Sequence, residues 1–247
     1  MSIPAVHTRK KRMIVLDTET TGKLTYDRIV TLGAVRLEGD ELQRESLYLI
    51  FDPSIDSHPE AIESHGYDNW MTRFQDLFSD LAPRIHTWLS WADELVMHDC
   101  RFAMRYLQRE LCQAGVAELT QPTSCTMERA GELWGRESSD LDECLKRIGK
   151  SRIYRIHGAL EDAYLTAALY LHQIGSKRPI ARVNSWSPPK NLKPHPPRPP
   201  GELPSRTEKK RLGTIEDAHL LLSQGSAMAS PLQYASGPRS TPQAHSV

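Results

Sequence analysis

The spacing of apolar positions changes twice along this chain. Met13–Thr18 is a short apolar run that breaks off into turn residues, the pattern of a buried strand. Ile29–Leu37 (IVTLGAVRL) is apolar and rich in β-branched residues, a second strand. Leu42–Phe51 alternates, with Leu47, Leu49 and Phe51 on one face, and is the third. Gly39-Asp40 reads as a hairpin turn, so the three strands form an antiparallel meander. The period then lengthens. Pro59–Gly66 reads as a short helix with proline at its start and glycine past its end. Phe74, Leu77, Phe78, Leu81, Ile85, Trp88 and Leu89 recur at helical spacing, and Pro83 is expected to kink or split that helix. Glu94–His98 is a short strand. Phe102–Gln113 is a helix with Phe102, Tyr106, Leu107 and Leu111 inward, and a brief strand falls around Ser124–Thr126. Short helices fit Met127–Trp134 and Leu141–Ile148, and Ala159–Ile174, rich in Ala and Leu, is the last helix.

A meander followed by alternating strands and helices predicts an α/β domain, a mixed central sheet flanked by helices, over residues 13–175. The flanks differ in composition. Residues 1–12 end in Arg9-Lys10-Lys11-Arg12 and read as a disordered basic lead. Nine prolines fall among residues 176–205, too many for a packed core, so this stretch reads as an extended linker. The remainder to residue 247 reads as disordered apart from a marginal helix over Thr214–Leu222.

The formal net charge of zero conceals a split. Residues 1–175 carry 20 basic and 27 acidic side chains, a net of −7, and residues 176–247 carry 11 and 4, a net of +7. Such basic flanks can hold a polyanion near an acidic centre. Cys100, Cys112, Cys125 and Cys144 form no metal-binding spacing and read as free thiols in a reducing compartment. The apolar run behind the N-terminal basic cluster is too short for a signal peptide or a membrane span, so a soluble cytoplasmic protein is expected, with no membrane partner.

The chemistry begins on the first strand. Asp17 and Glu19 are two positions apart and share a face. Paired carboxylates repel and are costly to bury, and a hard divalent cation with oxygen ligands removes that cost. At the other end of the domain, His157-Gly158 precedes the last helix and Asp162 lies in its first turns. A histidine in a glycine-containing loop can approach a water, and Asp162 can reach an ion held by the first strand.

Together, Asp17-Thr18-Glu19-Thr20-Thr21-Gly22 and His157-Gly158-Ala159-Leu160-Glu161-Asp162-Ala163 resemble the motifs of the DEDDh family of 3′-to-5′ exonucleases, which includes the proofreading subunit of bacterial replicative polymerases. Glu60-Ala61 with His65-Gly66 looks like that family's substrate-contacting loop, and Leu141-Asp142 with Leu145 looks like its helix before the last motif. The resemblance implies a ribonuclease-H-like fold and two divalent ions, Mg²⁺ or Mn²⁺. Asp17 would bridge the ions, Glu19 and Asp162 would complete their ligands, and His157 would take the proton from the attacking water. Glu60 and His65 would hold the terminal nucleotide, and Thr18 and Thr20 would touch its sugar or phosphate. The implied substrate is a nucleic-acid 3′ end, with single-stranded DNA favoured and an RNA end the near alternative. A DNA polymerase or other protein partner would be met through the tail.

The second motif departs from the family. Where the pattern has His-Asn-Ala-x-Phe-Asp, this chain has His98-Asp99-Cys100-Arg101-Phe102-Ala103, followed by Tyr106-Leu107 and Glu110-Leu111. Ala103 replaces a metal-binding aspartate. Two readings follow. Either Asp99 compensates, sharing a helix face with position 103 and looking like the corresponding aspartate of oligoribonucleases, or the chain is an impaired module that binds nucleic acid or a protein partner.

Overall fold

The structure is a computed structural model that describes residues 9–135, 140–178, 180 and 187–206. Two compact units divide at Pro194, and among the described residues every helix and strand belongs to the first. The meander forms as expected. β1 (Arg12–Thr20) pairs antiparallel with β2 (Ile29–Glu38), and β2 with β3 (Glu41–Ile50). After β3 come α1 (Pro59–His65), α2 (Asn69–Thr72) and α3 (Phe78–Leu89). β4 (Glu94–Met97) then returns parallel to β1, and α4 (Cys100–Gln113) leads to β5 (Thr123–Cys125), parallel to β4. α5 (Thr126–Trp134), α6 (Leu141–Arg147) and α7 (Ala159–Gln173) complete the unit. The sheet order is β3-β2-β1-β4-β5, a mixed five-stranded sheet with helices on both faces.

Strand parity sorts the core. Ile14 and Leu16 of β1, with Leu32 and Ala34 of β2, pack with α3 and α4 on one face. Met13 and Val15, with Val35 and Leu37, pack on α7 on the other. Asp17 and Glu19 continue the odd-numbered series and so fall on the α7 face. Arg28 forks onto buried Glu110 through two 2.6 Å bonds, fastening the start of β2 to α4.

Three local details go beyond the sequence pattern. α2 has no apolar repeat to announce it and is a single turn whose first N–H groups are capped by Asp68. α3 starts at Phe78, where the Asp80 carboxylate accepts the Leu77 N–H at 3.0 Å, and it runs on through Pro83. The ring removes only the bond to the Ser79 carbonyl, near the helix start. On β3, Tyr48 and Ile50 are more deeply buried than Leu47 and Leu49, because both faces of the sheet are covered.

The flanks are also tied down where they are described. Arg9 and Arg12 pair with Asp93, Lys10 with Glu41 and Lys11 with Glu94, so the basic run expected to be a disordered lead is held against the domain. Packing also continues beyond residue 175. The Lys190 N–H donates to the Tyr48 carbonyl at 2.8 Å, and the Asn191 side chain accepts from Ile50 N at 2.9 Å and donates to Ile50 O at 2.7 Å. This strap covers the outer edge of β3, where unpaired strand groups would otherwise meet solvent. Residues 1–8 and the stretch predicted as a marginal helix, Thr214–Leu222, lie outside the described residues.

Candidate active site

β1 outruns its neighbour. β4 pairs only with Met13–Val15, so the end of β1 carrying Asp17 and Glu19 projects past β4 while keeping β2 at its other side. The ladder is irregular between Glu19 and Thr20, which lets the strand leave the sheet there. The crevice at the carboxyl ends of adjacent parallel strands is where α/β sheets bind ligands.

α7 reaches this crevice because of one glycine. Gly33 faces Asp17 in the β1–β2 register. A Cβ on Gly33 would lie 2.2 Å from the Ala159 carbonyl carbon and the Leu160 nitrogen, so only a residue without a side chain lets the first turn of α7 sit on β2. That contact carries Asp162 to the β1 acids. The His157 loop is fixed separately, its N–H donating to the Ser64 carbonyl of α1 at 2.8 Å. Gly33 was legible only as a strand glycine, because its close approach is to a segment far along the chain.

The result is one compact donor group. Ligand atoms of Glu19, His157 and Asp162 lie within 4.8 Å of one another. Asp162 is almost fully buried, and its Oδ2 lies 3.8 Å from His157 Nδ1. Burial pushes the Asp17 carboxyl well above the usual range, the neighbouring Glu19 charge raises it further, and the Arg152 guanidinium partly offsets both. Glu19 is pushed up to about 7 by burial, with Arg152 again opposing. His157 is held below its ordinary value by burial and then by Arg152, while Asp142 acts the other way. The acids therefore sit in a place where charge is strained and a cation would relieve it.

Arg152, which carries no sequence signal, is the second finding. It lies in the loop between α6 and α7. Its Nη1 is ion-paired with Asp162 Oδ1, and its Nε donates to Asp142 Oδ1 at 2.7 Å. The loop is braced by the Ile153 N–H, which donates to Glu161 at 2.9 Å.

Beside these acids opens a cleft of about 620 Å³ lined by Thr18, Glu19, Thr20, Glu60, His65 and Phe102, among others. Thr18, Thr20, Glu60 and His65 are thus brought together on its walls. Thr20 donates to the Gly22 carbonyl at 2.6 Å, while the buried Thr18 hydroxyl has no partner among the described residues. His65 is 1% exposed and burial pushes it down to about 4, so its ring is neutral at ordinary pH. His65 Nδ1 accepts the Tyr67 N–H at 3.0 Å, which assigns the ring proton to Nε2. That nitrogen is buried without a partner among the described residues.

Asp99 is not part of the donor group. It is the N-cap of α4, with φ 61°, and its carboxylate accepts the Phe102 N–H at 3.1 Å. A left-handed cap lies outside the helix, so the expected shared face of positions 99 and 103 does not form. Ala103 is 4% exposed and packed among the apolar residues of the α3–α4 face.

The sequence profile of the exonuclease family (RNase T) matches residues 14–170, more than half of the chain. DNA polymerase III subunit epsilon of Pasteurella multocida is 27% identical over 184 residues, 70% of this chain and 72% of the relative. The same subunit of Rickettsia conorii is 29% identical over 175 residues, covering 68% and 75%. Among solved structures, the zinc-bound complex of E. coli exonuclease I with single-stranded DNA superposes with a TM-score of 0.57 at 18% identity, over 65% of this chain and 40% of that one. Exonuclease X in complex with 5′-overhanging duplex DNA gives 0.54 at 20% identity, over 73% and 96%. The match spans less than half of exonuclease I, and at such identities these structures establish the fold, which is the ribonuclease-H-like one.

Proposed function

The chain belongs to the exonuclease family, and from that premise we propose that it is a divalent-ion-dependent 3′-to-5′ exonuclease acting on single-stranded DNA ends. The observation that supports this best is the convergence of Glu19, His157 and Asp162 at the end of β1, beside a cleft large enough for a nucleotide. Two carboxylates and an imidazole, with acids whose charges are strained by burial, are a donor set that fits a hard cation such as Mg²⁺ or Mn²⁺. Glu19 and Asp162 would hold it, with Asp17 beside them. When bound, such an ion polarises the phosphodiester and steadies the leaving oxygen.

The remaining work falls to side chains. His157 takes the proton of the attacking water, and the burial that lowers its pKa keeps the ring in its basic form. His65 Nε2–H offers a fixed neutral donor to a sugar or phosphate oxygen of the terminal nucleotide, and the Thr18 hydroxyl offers a second. Glu60, exposed at the start of α1, reaches the same nucleotide from the cleft rim. The relatives named above are polymerase subunits, and the basic stretch after residue 175 supports a tether to such a partner.

A nuclease assay tests the reading. With 5′-labelled single strands and Mn²⁺, the full-length chain should shorten the label progressively from the 3′ end. His157→Ala should slow this by roughly a hundredfold or more. Asp99→Ala should keep turnover and lose only about 1 kcal/mol of stability, as removal of a helix cap does. Digestion from the 5′ end, equal rates for wild type and His157→Ala, or preference for RNA would each overturn part of the proposal.

A further inference from the structure

We propose that the Arg152 guanidinium permanently takes the place of one of the two divalent ions expected at this site, leaving a centre that binds a single ion. The inference rests on the exonuclease reading and narrows it. Arg152 is 8% exposed and is ion-paired with Asp162 Oδ1. The other oxygen of the same carboxylate, Oδ2, faces His157. Asp162 is therefore divided: one oxygen is committed to a fixed internal cation, and the other is left for a bound ion with Glu19.

Arginine suits that role because it does not lose its proton in a protein and presents donors in a planar fork. A second carboxylate, Asp142 on α6, holds the fork at 2.7 Å through Nε. The surrounding loop cannot easily withdraw it, since Ile153 is fastened to Glu161 and His157 to Ser64.

The opposite wall completes the case. The second-motif position on α4 is Ala103, packed in the apolar core, and Asp99 spends its carboxylate on capping that helix. No acid among the described residues of α4 joins the donor group. A second divalent ion would stand beside a fixed guanidinium that repels it, with one ligand fewer to hold it. Loss of the aspartate at position 103 and the presence of Arg152 are thus two halves of one exchange.

The test counts ions and does not depend on turnover. Mn²⁺ binding to the full-length chain, followed by the electron paramagnetic resonance signal of free Mn²⁺ and by calorimetry, should give one ion per chain. Arg152→Gln should bind that ion at least roughly tenfold more tightly, because a positive charge beside it is gone. The same variant should melt lower than wild type in EDTA and regain the loss with Mn²⁺. The Arg152→Gln/Ala103→Asp double variant should bind two ions. Arg152→Lys, which keeps the charge, should retain the wild-type count and guards against a glutamine variant that fails to fold. Any wild-type count other than one, or identical Mn²⁺ affinity and EDTA melting in wild type and Arg152→Gln, overturns the proposal. Nuclease assays on the same samples keep the two readings apart. One bound ion without hydrolysis sinks the exonuclease reading alone, and two bound ions with hydrolysis sinks the Arg152 proposal alone.

Discussion

His65 shows how much one side chain takes from its surroundings. Its sequence position suggests a substrate contact, but its chemistry is set by being 1% exposed, with Nδ1 tied to the Tyr67 N–H and its ring stacked on Tyr67. Burial moves it from 6.5 to about 4. In the unfolded chain the ring protonates near 6.5, so between pH 6.5 and 4 the unfolded state takes up a proton that the folded state refuses. Stability is thus fully present above that window and is lost as pH falls through it, by on the order of 3 kcal/mol. Urea unfolding at several pH values should show wild type losing that much more than His65→Gln between pH 6.5 and 4. Parallel pH slopes in the two proteins would mean that the ring is not held neutral by burial. Glu19 bends the other way, since an acid raised to about 7 withdraws stability as pH rises, so the comparison must be made against a variant and not on wild type alone.

At the scale of elements, the decisive contact is α7 against β2. The helix brings Asp162 to the β1 acids only because Gly33 leaves room for the backbone of Ala159 and Leu160. Gly33→Ala forces the helix start away from the sheet, and such overpacking costs about 1–3 kcal/mol. Nuclease turnover should collapse further than stability, because Asp162 retreats from Glu19 while the rest of the core remains packed. A thermal melt and a rate measurement on the same sample check both halves. A variant that melts and turns over like wild type would show that α7 tolerates a side chain there.

For the first compact unit as a whole, the exposed edge of β3 is closed by residues that follow the last helix. Asn191 holds both backbone groups of Ile50, and Gln75 exchanges hydrogen bonds with the backbone of Lys193. Asn191→Ala removes both hydrogen bonds to Ile50 and a longer one to Asp76, and should lower stability by about 1–3 kcal/mol. It should also promote association through the bared strand edge. Denaturant titration and light scattering read the two effects. Tyr48, on the same edge, bonds Tyr67 at 2.8 Å, and Tyr67 positions His65, so loosening the strap should also weaken substrate binding in the cleft.

The meander, the last helix, the Pro59–Gly66 turn of helix and the pairing of Asp17 with Glu19 were all legible in the sequence. They depend on local periods of two and 3.6 residues and on residues that cap or stop an element. The family resemblance, carried by the residues around Asp17 and His157, was legible for the same reason, because each motif is contiguous. The role of Gly33, the capping posture of Asp99 and the placement of Arg152 were not. Each is defined by a group elsewhere in the molecule or by a backbone angle: the Ala159 backbone, a φ of 61°, and the Asp162 carboxylate. Local pattern determined where the acids lie along the chain. Only the folded arrangement of β1, α7 and the loop before α7 decided which cation stands among them, because a charge in a buried site is answered by whatever the tertiary structure places within a few ångströms.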